Sequence, residues 1–252
     1  MSNALGNESK GVDVNRQFYD ALWSSASLTD PKRFNTWPLF EPLIAASTAR
    51  LEVAPGLRPR LPIDGTHFVD LSESAVETLR AHGADAIAGR ITALPFDDAR
   101  FDLVCALDII EHVSDDRRAL AELMRVAAPD AVVLLSMPLH PSRWTAFDAL
   151  VGHQRRYEPV ELIELLESNG LNVVHSAVYG MQPESSWLLD AGVWGLRHRP
   201  RFANWLYNRV LMPLGLHFQK PLMPVEGLLD LRHVDEVLLI CRRRPHGTFV
   251  HA

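Results

Sequence analysis

The stretch FDLVCALD, residues 101–108, is apolar over almost its whole length, and this constrains the fold more than any other feature of the chain. A strand with one wet face alternates apolar and polar residues. A strand apolar on both sides belongs in a sheet covered on both faces, which means a parallel sheet flanked by helices. The neighbouring segments agree. Strand-like runs at 50–56, 66–72, 84–89 and 131–138 alternate with helical patterns at 72–83 and 114–129. Ser72 opens the first helix and Gly83 stops it; the second carries acids in its first turn and Pro129 beyond its end. Residues 158–170 read as a helix with Pro159 at its first position and Gly170 as its stop, followed by strands at 171–180 and 234–244. The pattern predicts an α/β fold built on a seven-stranded, mostly parallel, doubly wound Rossmann-like sheet, whose ligands bind beyond the carboxyl ends of the strands.

Four regions follow from this. Residues 1–48 are a tail and a helical cap, 49–180 the core, 181–232 an insertion, and 233–252 the last strand and a tail. Residues 1–14 read as disordered and 14–23 as a helix. The stretch after it, interrupted by Pro31, Pro38 and Pro42, reads as loop with short helical turns. The formal net charge is -6, which disfavours nucleic acid as a partner. The amino terminus has no apolar signal core and no run is long enough to span a membrane, so a cytoplasmic location is expected. Cys105 and Cys241 lie in apolar runs and read as buried thiols; neither a disulfide nor a metal is expected.

A nucleotide-like ligand needs a tight turn, an acid for the ribose hydroxyls and a slot for the base. Gly56 follows the first strand, Asp70 ends the second, and Leu107 and Asp108 end the fourth. Asp70 also stands where it could cap the next helix, and Glu52 could pair with an arginine. Glu111 and His112 could serve packing and a helix start.

Leu94-Pro95-Phe96, Phe101-Asp102-Leu103-Val104 and Glu111-His112-Val113, with GHQRRYEPVELIELLESNGLNVV further on, resemble the class I methyltransferases that use S-adenosylmethionine (SAM). The resemblance covers roughly residues 50–180 and the last strand. It implies SAM as cofactor and a role for each matching position. Glu52, Ala54 and Gly56 would form the loop near the methionine part. Asp70 would accept from the ribose hydroxyls, and Leu71 would lie against the adenine face. Ile91 would offer backbone near the adenine edge, while Leu107 and Asp108 would flank the sulfonium.

Two positions depart from the family pattern. Its loop reads acid-x-G-x-G-x-G, whereas this chain has Glu52-Val53-Ala54-Pro55-Gly56-Leu57-Arg58-Pro59. Ala54 fits there if its φ is negative. Arg90 occupies a place where an acid commonly reads the adenine amino group; it cannot accept that hydrogen bond but could stack on the base.

The implied activity is methyl transfer to a small acceptor, hydrophobic or lipid-linked, through an O, N or C atom. For a hydroxyl acceptor, His140 and His153 are the candidate bases. The insertion carries Trp187, Trp194 and Trp205 among several arginines. It reads as a lid over an apolar acceptor, as a helix lying in a membrane interface, or as a homodimer contact. A nicotinamide oxidoreductase is disfavoured, because no G-x-G-x-x-G follows the first strand. A non-catalytic methyltransferase-like binding protein is the competing function, motivated by the altered loop and Arg90.

Overall fold

The computed structural model describes residues 18–180 and 186–243. The expectation of disorder at 1–14 falls outside them, as does most of the first half of the expected 14–23 helix. The described part, α1, is helical at 18–23. Then come α2 (Trp37–Ala46), β1 (Arg50–Val53), β2 (Thr66–Asp70), α3 (Glu73–Ala81), β3 (Asp85–Ala88), β4 (Phe101–Ala106) and α4 (Asp116–Val126). β5 (Ala127–Pro138), α5 (Ala146–Val151), α6 (Pro159–Ser168) and β6 (Leu171–Val178) complete the central part. The insertion folds as α7 (Ser186–His198), α8 (Pro200–Leu206), a π turn at Tyr207–Leu211, α9 (Met212–His217) and β7 (Val225–Glu226), and β8 (Glu236–Arg243) ends the sheet.

The strand order is β3-β2-β1-β4-β5-β8-β6-β7. β1 to β5 pair in parallel, while β8 enters between β5 and β6 antiparallel to both. The sheet therefore has eight strands, not seven. The extra one is the two-residue edge strand β7, contributed by the insertion and too short to show a pattern in sequence. The order reverses at β1 and β4, and the crevice between their carboxyl ends is the ligand position of such sheets.

β4 is buried on both faces, as its composition requires. Phe101, Val104 and Ala106 join the large core with α4 and α6, while Leu103, Cys105 and Leu107 face a second core formed with Phe40 of α2. α3 covers β2 and β3 through Val76 and Leu79 against Phe68 and Ala86. Its cap is Ser72, whose side chain accepts from the Ala75 N–H. Both cysteines are free and buried.

One expected loop is a helix. α2 carries Pro38 at its start and Pro42 in its interior, yet it forms and buries Phe40 completely. Pro38 costs nothing in a first turn whose N–H groups have no intrahelical partner anyway. Pro42 does sacrifice a bond, and burial of the apolar face in the second core outweighs that loss.

Candidate functional site

The site is built on the turns that follow β1, β2 and β4. Ala54 leaves β1 with φ 58°, in the left-handed region, and donates its N–H to Val69 O at 2.7 Å. The condition of a negative φ is thus not met: the alanine occupies a glycine conformation, which costs about 1–2 kcal/mol for an L residue. Gly56 follows with φ 53°. A Cβ there would lie 2.1 Å from the Trp23 ring of α1, so only glycine permits the cap to come this close.

Asp70 ends β2 buried. Its carboxylate accepts from the Gly56 N–H at 2.9 Å and the Ser72 N–H at 2.8 Å, holding the two turns together. The alternative that it caps the next helix is not met: Ser72 caps α3, and Asp70 instead fixes the Ser72 N–H just before it. Burial pushes its carboxyl up to about 6, against the opposing pull of the hydrogen bonds from Ser72 and Gly56. No cation pairs with it among the described residues, and a carboxylate has acceptor capacity beyond two bonds.

Glu52, also buried, closes the far side of the loop. It accepts from the backbone N–H groups of Arg60 and Leu61 at 2.8 and 2.9 Å, and burial pushes it up to about 7. The Arg60 side chain donates Nη2–H to the Tyr179 hydroxyl at 3.0 Å and lies 3.6 Å from the Phe34 ring centre. Its Nε and Nη1 are buried with no hydrogen-bond partner among the described residues.

Leu107 and Asp108 follow β4, with Asp108 at φ 56°. The Asp108 carboxylate accepts from Ser136 Oγ and hydrogen-bonds with Glu236 of β8. Burial, then the Asp108 charge, holds the Glu236 carboxyl well above the usual range. Ile91 is buried beside the third turn, and Leu71 is half-buried after β2. Arg90 is exposed.

The two histidines separate. His140 has φ 59° and its Nε2 lies 2.9 Å from the Leu231 carbonyl, so that nitrogen is a donor latching the loop after β5 to the turn before β8. This contact gives His140 a structural role. His153 instead meets Glu111 and His112 near the end of β4, with Asp148 behind it. Tyr157 is buried and gives its hydroxyl to Asp116 at 3.0 Å, a fold contact.

Several residues at the site carry no local sequence signal. Tyr19 of α1 is half-buried against His112, with rings 5.7 Å apart, and stacks on Trp23 at 5.8 Å. Arg58 lies 5.1 Å from the Trp23 ring and 4.9 Å from the Tyr207 ring, and donates to the Tyr207 hydroxyl and to Asn208 Oδ1. The residue that replaced a family glycine is thus a clamp between cap and insertion. Phe34 packs with Met212 and Leu216 in the same joint.

The methyltransferase domain family matches residues 62–135. A probable S-adenosylmethionine-dependent methyltransferase of Mycolicibacterium smegmatis is 34% identical over 111 residues, covering 42% of each chain. The match therefore spans less than half the length of that relative. A demethylmenaquinone methyltransferase of Clavibacter sepedonicus is 30% identical over 173 residues, covering 62% of this chain and 69% of the relative. Among solved structures, a SAM-dependent methyltransferase from Thermotoga maritima superimposes with a TM-score of 0.56 at 15% identity, covering 95% of this chain and 96% of that one. At that identity the likeness concerns the fold.

The residues present fit SAM. Asp70 offers a buried acceptor without a cation, suited to two ribose hydroxyls. The orphaned N–H groups of Arg60 suit a carboxylate at the Glu52 side of the loop. Trp23 stands over Gly56, so a ligand approaching that backbone must displace the indole.

Proposed function

Because the chain belongs to the SAM-dependent methyltransferases, we propose that it transfers a methyl group to a hydrophobic or lipid-linked small molecule taken from a membrane surface. SAM supplies an already activated methyl group, so the work left to the chain is positioning. Asp70 would hold the ribose and Arg60 the carboxylate, while Tyr19, Trp23 and Tyr207 close the site from the cap and the insertion.

The observation that carries the acceptor reading is the surface of the insertion. Trp187, Trp194, Phe202, Trp205, Leu211 and Phe218 are all at least half exposed. Isolated exposed apolar residues need no explanation, but this many large ones in one segment mark an interaction surface. Arg197, Arg199, Arg201 and Arg209 are exposed among them, and between Ser186 and Phe218 the only acid in the sequence is Asp190. Aromatic rings with arginines suit the interface of an anionic bilayer, on a chain whose net charge is otherwise negative. No helix among the described residues is long and apolar enough to cross a membrane, so the contact would be peripheral. The similarity to a demethylmenaquinone methyltransferase is in keeping with such an acceptor.

Co-sedimentation with vesicles tests this. The protein is expected to bind phosphatidylglycerol vesicles and to bind neutral phosphatidylcholine vesicles more weakly. Replacing Trp187, Phe202 and Trp205 with serine together is expected to abolish binding while SAM affinity stays unchanged. Absence of vesicle binding, with a dimer in light scattering that the same substitutions dissolve, would assign the surface to a second copy instead.

The Asp70 assignment predicts a pH dependence. Ribose hydroxyls donate to the ionised carboxylate. Below about pH 6 the free protein carries a proton there that binding must expel. SAM affinity is therefore expected to fall as pH drops below 6, by up to about tenfold per pH unit, and to level off at neutral pH and above. Asp70→Asn should flatten the curve. A wild-type affinity constant across that range would remove Asp70 from the ribose.

A further inference from the structure

We propose that Glu111, His112 and His153 form a binding site for one divalent first-row transition ion at the carboxyl end of β4. Glu111 and His112 lie on the turn Ile110–His112, and His153 follows α5. One ligand atom from each, a carboxylate oxygen and two ring nitrogens, lies within 4.8 Å of the others. Donors bound about 2.0–2.2 Å from a shared tetrahedral ion are separated by about 3.3–3.6 Å, so small side-chain rotations close the set.

Two observations point to a ligand rather than to packing alone. Glu111 is 2% exposed, yet its Oε2 has no hydrogen-bond partner among the described residues. Leaving a buried carboxylate oxygen unsatisfied is costly, and native structures rarely do it. His153 Nε2 stands 3.9 Å from Glu111 Oε1, too far for a hydrogen bond and only a few tenths of an ångström beyond the separation of two ligands on one ion.

The surroundings also fit. His153 presents Nε2 because its Nδ1 is held by Asp148 Oδ1 at 2.9 Å, and Asp148 is itself fixed by Thr145 and Arg156. A carboxylate behind a histidine is the usual outer-shell support of a metal ligand, setting its tautomer and raising its basicity. His112 hydrogen-bonds the Gly152 carbonyl through one ring nitrogen, and its Nε2 lies 3.4 Å from the Tyr19 hydroxyl, a long contact that a bound ion would replace.

Two imidazoles and one carboxylate suit Zn2+ or Mn2+ better than Mg2+ or Ca2+, which prefer oxygen ligands. Three protein ligands leave a coordination position open, the pattern of catalytic rather than structural zinc. The sequence showed no ligand spacing because the three residues come from two separate loops.

The test uses untagged full-length protein, stripped with chelator and titrated calorimetrically with ZnCl2 in the absence of SAM. Uptake of one Zn2+ per chain is expected. Glu111→Gln and His153→Asn, checked for folding by circular dichroism, should each weaken it by at least about tenfold. Co2+ added to the stripped wild type should give visible absorption bands that both variants lose. Wild-type protein that takes up no stoichiometric Zn2+, or variants that bind as the wild type does, would overturn the site. SAM titration of the stripped protein is read separately, so failure of the metal site leaves the methyltransferase reading intact.

Discussion

Asp148→Ala is expected to lower the unfolding free energy by about 3–5 kcal/mol, the cost of removing one partner from a buried ion pair. Asp148 is fully buried and gathers the neighbouring loops. Its carboxylate accepts from the Thr145 N–H and hydroxyl at 2.6 and 2.7 Å, from His153 Nδ1 at 2.9 Å and from Arg156 Nη2 at 2.9 Å. Arg156 is almost as buried, so the alanine variant strands a guanidinium and also removes the Asp148 half of the capping box that opens α5. Burial alone would raise the Asp148 carboxyl, but the hydrogen bonds from His153, Thr145 and Arg156 outweigh it and hold the group well below the ordinary range. With the folded value lowered, the stabilisation is present above the ordinary carboxylate pKa. It is lost only as pH falls from there through the folded value. Urea denaturation at neutral pH measures the difference. A loss under about 1 kcal/mol would mean that Arg156 finds another acceptor, contrary to this account.

Asp70→Ala is expected to weaken SAM binding by about 1–3 kcal/mol, roughly 5- to 150-fold in Kd. The same carboxylate bonds the Gly56 and Ser72 N–H groups, so the substitution also loosens the loop over which the ligand would lie. Asp70→Asn separates the two effects. The amide oxygen can still accept one N–H, so the loop suffers less, while the charge offered to the ribose is gone. A folded Asp70→Asn protein with wild-type affinity would show that the loss in the alanine variant came from the loop.

The sheet was legible because its signal is local and repeated. FDLVCALD alternates between two cores, with Val104 and Ala106 in one and Leu103 and Cys105 in the other, and burial on both faces leaves few architectures open. α2 was illegible because Pro38 and Pro42 outvote the apolar spacing in any local reading, and only the core that receives Phe40 reverses the balance. The two-residue strand β7 is too short for any period to appear.

The site divides in the same way. Glu52, Gly56, Asp70 and Asp108 stand at strand ends, where the alternation itself points. Tyr19, Trp23, Arg58, Arg60, Tyr179, Tyr207 and Glu236 reach the crevice from the cap, the post-β1 loop, the segment after β6, the insertion and the last strand. No spacing in one dimension joins them. Ala54 misled for a different reason: an alanine in a glycine's conformation is a cost met by its neighbours, here by the bond to Val69 and by the turn that Asp70 holds. His140 and His153 looked equivalent as loop histidines, and only the contacts with Leu231 and with Asp148 and Glu111 separate them.

Titration calorimetry of the wild-type protein with SAM, and separately with S-adenosylhomocysteine, tests the central claim most directly. The account predicts one site per chain with micromolar affinity, about -8 kcal/mol, weakened in Asp70→Ala. No binding of either ligand up to about millimolar concentration would contradict it, and would identify the fold as a methyltransferase scaffold that has lost its cofactor.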